Sequence, residues 1–171
     1  MAQGSSGKFG RVLQHWRSTR AMAARAFPEA TLRAIAEAIT AGERTHRGEV
    51  RLVIEKALPL AAAWSGVSNR RRAIALFADY GIWDTEDHCG VLIYLNLAER
   101  KVDIVADRGI DRKIDAATWQ AVCATMTRGF GRGDYHDATL AAVAQVNELL
   151  RTHFPSNGAR PNELPDQPLM L

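Results

Sequence analysis

Residues 90–106 read GVLIYLNLAERKVDIVA, and this stretch decides the fold of the chain. It contains two apolar runs of strand length, at 91–97 and 101–106, which only residues 98–100 separate. A connection this short joins strands that run in opposite directions, so the stretch predicts an antiparallel β-hairpin. The first run is the most apolar in the chain, which indicates a buried strand.

A further strand is predicted upstream, at residues 48–55, GEVRLVIE. Apolar and charged residues alternate there, and Val53 breaks the alternation, which indicates partial burial on both faces. Ser68 is placed to cap a helix over 69–80, between this strand and the hairpin. Two strands joined through a helix are expected to be parallel, with a right-handed crossover.

Helical periodicity in the remaining segments gives the order of elements. Two helices, at 9–26 and roughly 29–44, precede the first strand, and two more follow Asp115 and Asp134. The predicted order is α-α-β-α-β-β-α-α, in which helices cover both faces of a small mixed sheet as a three-layer α/β/α sandwich. We expect the domain to span 9–155, with disordered ends at 1–8 and 156–171.

The charge of the chain is concentrated at its start. The net charge is +3, but residues 8–25 hold five basic residues and no acid. A basic arm on a nearly neutral body argues against a nucleic-acid-binding domain. The basic amphipathic helix at 9–27 either docks on the sheet or rests on an anionic membrane surface or an acidic protein partner. Docking is favoured, through four apolar residues: Phe9, Leu13, Trp16 and Phe27.

Cysteine count and hydropathy bear on the compartment. Cys89 and Cys123 are the two cysteines, too few for a disulfide scaffold, so reduced thiols are the default. No run approaches the about 18 apolar residues of a transmembrane segment, and the start lacks the apolar core of a signal peptide. We therefore expect a cytoplasmic protein, peripheral to the membrane if the basic helix binds lipid.

The predicted topology brings three loops together. Parallel strands share one edge for their amino ends, and the third strand, running back, returns its carboxyl end to that same edge. The loops at 43–49, 84–89 and 107–111 should therefore converge. They gather Glu43, His46, Glu49, Asp84, Glu86, Asp87, His88, Asp107 and Asp111, with Arg47 and Arg108 among them.

Several carboxylates in one small volume repel one another, and a divalent cation removes the conflict. Ca²⁺ takes six to eight oxygen ligands, whereas Mg²⁺ takes six and keeps several waters. We predict a Ca²⁺ or Mg²⁺ site whose ligands are Asp84, Glu86, Asp107 and then Asp111, surrounded by His46, Arg47, Glu49 and Gly109. The alternative is that the acids pair with Arg47 and Arg108 and cap turns.

Known motifs do not explain the acidic loop. Counted from Asp84, an EF-hand loop needs Gly where Cys89 stands and Glu where Leu95 stands. The glycine-rich run at 129–133 follows a helix rather than a strand, so it is a helix-to-helix joint and no phosphate loop. The five histidines show no i, i+4 pair, which argues against a zinc site.

Residues 89–111, CGVLIYLNLAERKVDIVADRGID, resemble the core of the TPM-domain family. Gly90–Ile93 matches the family's N-G-V-L-L-x-I run, Arg100 its turn arginine, and 108–111 takes the place of its Y-G-L-E loop. HRGEVR, WDTE and VADRGI bring the chain close to a soluble bacterial branch. The resemblance covers about residues 9–155. This chain departs from the family pattern at three positions. Cys89 replaces the usual Asn, Asp107 replaces the first Gly of the family loop, and Arg108 replaces its Tyr.

The resemblance implies a Rossmann-like α/β/α sandwich and makes cation binding the leading expectation. Some family members bind calcium or other divalent cations, and a plant chloroplast member resembles an acid phosphatase. A metal-assisted phosphomonoesterase is therefore the alternative, with Asp84 or Glu86 as base or metal ligand and Arg47 or Arg108 holding phosphoryl oxygens. A non-catalytic adaptor acting through residues 9–26 is the second alternative.

Overall fold

The computed structural model describes residues 10–15, 20–158 and 160–171. Residues 10–15 are helical and form the N-terminal helical segment. The longer described part holds helices α1 (Arg20–Ala26), α2 (Glu29–Glu43), α3 (Leu60–Ser65), α4 (Asn69–Asp79), α5 (Arg108–Asp111), α6 (Ala116–Gly131) and α7 (Tyr135–His153). The strands are β1 (Glu49–Glu55), β2 (Gly90–Asn96), β3 (Lys101–Ala106) and β4 (Leu169–Met170). The predicted disordered start, 1–8, lies outside the described residues.

The sheet has the strand order β3-β2-β1-β4. β1 pairs with β2 in parallel, with Val53 opposite Tyr94, and β2 pairs with β3 in antiparallel, with Ile93 opposite Ile104. The predicted hairpin and the predicted parallel pair are both confirmed. β4 adds a fourth strand, parallel to β1, that the sequence pattern did not indicate.

Alternate residues of the central strands supply two separate cores. Val50, Leu52 and Ile54 of β1 face the larger core, which α2, α6 and α7 cover. On the other face, Val53 and the β2 residues Leu92 and Tyr94 pack against α4. All seven residues of β1 and all seven of β2 are buried, as expected for strands covered on both sides. The three-layer α/β/α prediction is confirmed.

The second face of β1 is charged as well as buried. Glu49, Arg51 and Glu55 share that face with Val53, and all three charged side chains are nine-tenths buried or more. Residues 160–171 lie along it and are called the C-terminal strap. Leu171 N donates to Ile54 O at 2.9 Å, and Leu164 is buried in the smaller core. The structure thus corrects the prediction of a disordered tail, because backbone pairing and buried polar partners on β1 hold this polar sequence in place.

The N-terminal helical segment docks on the turn between β2 and β3 through polar contacts. Arg11 Nε lies 2.6 Å and His15 Nε2 2.9 Å from Glu99 Oε1. His15 is buried, and its Nδ1 accepts a hydrogen bond from Leu58 N at 3.0 Å, so Nε2 carries the proton donated to Glu99.

The predicted docking of the basic helix is only partly apolar. Phe27 is buried as predicted, but the prediction for Leu13 is wrong, since it is 50% exposed. Phe9 and Trp16 lie outside the described residues. Among the residues that the structure describes, no helix is long and apolar enough to span a bilayer.

Candidate functional site

The three loops converge at one edge of the sheet, as the topology predicts. Glu49 is paired with Gly90, and Val91 with Ala106, so the starts of β1 and β2 lie beside the end of β3. Glu49 N donates to Cys89 O at 3.0 Å. The loops at 43–49, 84–89 and 107–111 are together called the converged edge.

Close backbone packing holds two of these loops together. A Cβ atom added to Gly109 would lie 2.5 Å from His88 O, closer than real Cβ contacts allow. His88 itself has a φ of 51°, in the left-handed region that non-glycine residues adopt infrequently. The predicted place of Gly109 beside the site therefore has a steric reason: the loop at 107–111 lies directly against the loop at 84–89.

Asp107 is the one predicted ligand that the structure buries at the converged edge. Its Oδ1 accepts from Arg108 N at 2.6 Å and caps α5. Its Oδ2 is buried and has no hydrogen-bond partner. His88 Nδ1 lies 3.5 Å from Oδ2, on a side chain that is 58% exposed. A buried carboxylate oxygen without a donor is costly and is a ready ligand for a cation.

The other three predicted ligands are placed differently. Asp84 and Asp111 are exposed, the first in the turn after α4 and the second at the end of α5. Glu86 Oε2 accepts from Arg160 Nη2 at 3.1 Å. Among residues 10–15, 20–158 and 160–171 there is no group of three or more His, Cys, Asp or Glu side chains that could hold a metal ion. The four acids therefore do not assemble as one side-chain cage.

Arginines neutralise part of the acidic loop, as the alternative reading of these acids expected. Asp87 Oδ2 lies 3.2 Å from Arg47 Nη1 and also accepts a hydrogen bond from Arg160 Nη1. Arg47 was a predicted partner, but Arg160 was missed because the strap was expected to be disordered. Arg108, the other predicted partner, is exposed and contributes its backbone N–H to Asp107.

His46 and Glu49, predicted to surround the metal, instead belong to a neighbouring polar cavity. This cavity has a volume of about 510 Å³ and lies between the end of α2, the start of β1 and the strap. His46 is buried and contacts Gly48 O at 3.1 Å and Asn147 Oδ1 at 3.2 Å, and burial lowers the pKa of its imidazole. His46 therefore ties the start of β1 to α7.

Acids of three elements meet in the same cavity. Glu43 Oε1 accepts from Val50 N at 2.8 Å, and Glu49 Oε2 accepts from Leu164 N at 3.1 Å. Asp166, on the strap, is the third acid and was missed in the sequence. Burial chiefly, with the nearby Glu49 and Asp166 carboxylates adding to it, raises the pKa of Glu43 to about 8 despite the Val50 hydrogen bond. The signal that could have revealed the strap is its apolar residues, Leu164 and 169–171.

The fold and the converged edge define the class of the protein as a three-layer α/β/α domain with a mixed sheet. The chain belongs to the TPM domain family, because the family model described as TPM domain matches residues 22–149. The resemblance seen in the hairpin and its flanking loops is thereby confirmed.

A solved structure shows the same fold. It is the NMR structure of the BA42 protein from the psychrophilic bacterium Bizionia argentinensis, with a TM-score of 0.72 and 23% sequence identity. The superposition covers 82% of this chain and 92% of BA42. No protein of curated function matches the chain at a significant level.

Proposed function

We propose that this TPM domain binds a divalent cation at the converged edge, with Asp107 Oδ2 as its principal protein ligand. The single observation that carries the proposal is this oxygen, which is buried and has no hydrogen-bond donor. A cation there would supply the missing positive charge and satisfy the lone pairs of Oδ2. His88 Nδ1, at 3.5 Å, is the side-chain nitrogen that lies beside Oδ2.

The donor set favours a cation that keeps most of its water. Mg²⁺ dehydrates reluctantly and is commonly bound through one or two carboxylates, whereas a Ca²⁺ site needs six to eight oxygens. Asp107 suits the first kind of site, because Glu86 is engaged by Arg160 and the exposed Asp84 and Asp111 are placed only to attract cations from solution. We therefore expect weak binding, with Mg²⁺ at least as effective as Ca²⁺.

Contacts of Arg47 and Arg11 make the alternative functions less well supported. A phosphomonoesterase needs arginines free to hold phosphoryl oxygens; of the two candidates, Arg47 lies 3.2 Å from Asp87 Oδ2, which leaves the exposed Arg108. A membrane-surface adaptor needs a free basic helix, but Arg11 lies 2.6 Å from Glu99 Oε1 and also donates to Val67 O at 2.6 Å.

Thermal unfolding of chelator-treated protein with added MgCl₂ or CaCl₂ tests the proposal. A ligand that binds only the native state at ten times its Kd stabilises it by about 1.4 kcal/mol. For a chain of this size, each kcal/mol of added stability raises Tm by roughly 2–4 °C. The wild type should show this rise, and Asp107→Asn, which keeps the cap acceptor and the side-chain volume, should not.

Asp137→Asn is the matched control, since it also removes one carboxylate, on a side chain that is 84% exposed on α7. It should respond to metal as the wild type does. An unchanged Tm of the wild type at millimolar Mg²⁺ and Ca²⁺, or an equal rise in Asp107→Asn, would overturn the proposal.

A further inference from the structure

The C-terminal strap is fastened to β1 by the charged face of that strand. Glu49 Oε2 accepts from the backbone N–H groups of Glu163 and Leu164, at 3.2 and 3.1 Å. Arg51 Nη1 donates to the backbone carbonyls of Pro165 and Gln167, at 2.5 and 2.6 Å. Both side chains are buried by the contact, so β1 recognises the backbone of the strap on either side of Leu164.

Closing the strap also places a third carboxylate beside two others. Asp166 Oδ1 accepts from Asn162 Nδ2 at 2.6 Å within the strap, and its Oδ2 accepts from Thr40 Oγ1 on α2. The same acid lines the cavity together with Glu43 and adds to the negative charge around Glu43 and Glu49. Carboxylates that share a small, partly buried volume repel one another, which favours a proton on one of them.

The charges around these acids come from every element that packs there. α2 supplies Glu43 and Arg44, the following loop supplies His46 and Arg47, β1 supplies Glu49 and Arg51, and the strap supplies Arg160, Glu163 and Asp166. Arg47 and Arg160 are both directed to Asp87, and His46 to Gly48 and Asn147.

Protonation of the acids is favoured when the strap is closed. Burial, Glu49 and Asp166 together raise the pKa of Glu43 to about 8, and burial raises the pKa of Glu49 although two strap N–H groups oppose it.

We propose that closure of the strap over β1 takes up a proton at the Glu43, Glu49 and Asp166 cluster, so that the strap is a pH-sensitive cover of the polar cavity. An acid whose pKa is raised in the closed state holds its proton there at a pH where the open state has lost it. Closure therefore weakens as the pH rises toward about 8, the pKa of Glu43, and becomes independent of pH above it.

Hydrogen–deuterium exchange of the strap amides measures this opening directly. The protection factors of Glu163, Leu164 and Leu171, corrected for the intrinsic dependence of exchange on pH, should fall by up to about tenfold per pH unit between roughly pH 6.5 and 8. They should then level off. The amides of β2 serve as the internal reference and should stay protected throughout. Burial lowers the pKa of His46 from its usual value of 6.5, so its titration lies mainly below this range.

Glu43→Gln separates the proposal from general loosening. Glutamine stays neutral and still accepts from Val50 N, so strap protection should no longer depend on pH. Glu37→Gln, an exposed residue of the same helix, should retain the wild-type dependence. Glu43→Met, which likewise cannot titrate, is the second variant, should Glu43→Gln fail to fold, and should flatten the profile in the same way. A wild-type profile that is flat between pH 6.5 and 8, or an equal slope in a folded Glu43→Gln or Glu43→Met protein, overturns the proposal.

Discussion

Asp87 and Arg160, 73 residues apart in sequence, are joined by a hydrogen bond between Oδ2 and Nη1. The same guanidinium reaches Glu86 Oε2 at 3.1 Å. The acidic loop before β2 is therefore neutralised partly by the C-terminal strap, and the converged edge and the polar cavity share a wall.

The contact of Arg160 predicts a coupling between the loop and the strap. Arg160→Gln should lower the urea midpoint of unfolding and speed amide exchange at Glu163, because Asp87 and Glu86 lose their common partner. Arg151→Gln breaks an exposed pair within α7, with Glu148, and should change neither quantity measurably. Equal behaviour of the two variants in urea titration and exchange would contradict the coupling.

A buried polar cluster at the far end of β1 makes a prediction about stability. Tyr94 is fully buried, and its hydroxyl donates to Glu55 Oε2 at 2.6 Å, while Arg72 Nη2 lies 2.7 Å from Glu55 Oε1. Tyr94→Phe removes the shorter of two hydrogen bonds to the buried Glu55 Oε2, leaving only that from Arg72 Nε at 3.1 Å, and should cost about 1–3 kcal/mol of unfolding free energy.

Tyr80→Phe is the control for that measurement, since Tyr80 is 42% exposed at the end of α4. Urea unfolding should show it within about 0.5 kcal/mol of the wild type. A Tyr94→Phe protein as stable as Tyr80→Phe would show that the hydroxyl contributes nothing to the cluster.

Docking of the N-terminal helical segment should depend on pH through Glu99. Burial alone would raise the pKa of this carboxyl, but hydrogen bonds from Lys101, His15 and Arg11 lower it to about 2. A carboxyl with a depressed pKa stabilises the fold above its unfolded value, about 4.5, and loses that contribution as the pH falls toward 2. Glu99→Gln should cost up to about 3 kcal/mol at pH 7, and the difference from wild type should shrink below pH 4.5.

Denaturant unfolding of both proteins between pH 7 and 3 checks this dependence, with Glu37→Gln on the exposed face of α2 as the control. A difference between wild type and Glu99→Gln that is constant over this range contradicts the assigned role of Glu99.

Packing between the two loops of the converged edge predicts the effect of adding one methyl group. Gly109→Ala would place a Cβ 2.5 Å from His88 O, so the loops must separate, at a cost of about 1–3 kcal/mol. Gly131→Ala, at the end of α6, meets nothing within 4 Å and should be neutral or slightly stabilising. Thermal unfolding compares the two, and a neutral Gly109→Ala would contradict the close approach.

Local patterns were sufficient to predict the centre of the fold. The short turn between β2 and β3 leaves only the antiparallel arrangement, and a helix between β1 and β2 leaves the parallel one. Convergence of the loops then follows from strand directions alone. For that reason the neighbourhood of Asp107 could be predicted, although the orientation of each side chain could not.

The strap could not be predicted in the same way, because its stability comes from distant residues. β4 has two residues, too few to show a period, and a sequence rich in Pro, Asn and Asp is typical of disorder. The sequence indicated only partial burial for the charged face of β1, yet Glu49 and Arg51 are buried by the backbone of the strap. The neutralisation of Asp87 and Glu86 depends on Arg160, and no local sequence pattern predicts the position of this arginine.

The central claim, that Asp107 binds a divalent cation, is tested most directly by an NMR titration of metal-free protein with MgCl₂. The account predicts saturable shifts of the backbone amides around Asp107 and His88 in the wild type and in Asp137→Asn, and their loss in a folded Asp107→Asn protein. Shifts that are absent in the wild type, or that persist unchanged in Asp107→Asn, would contradict it.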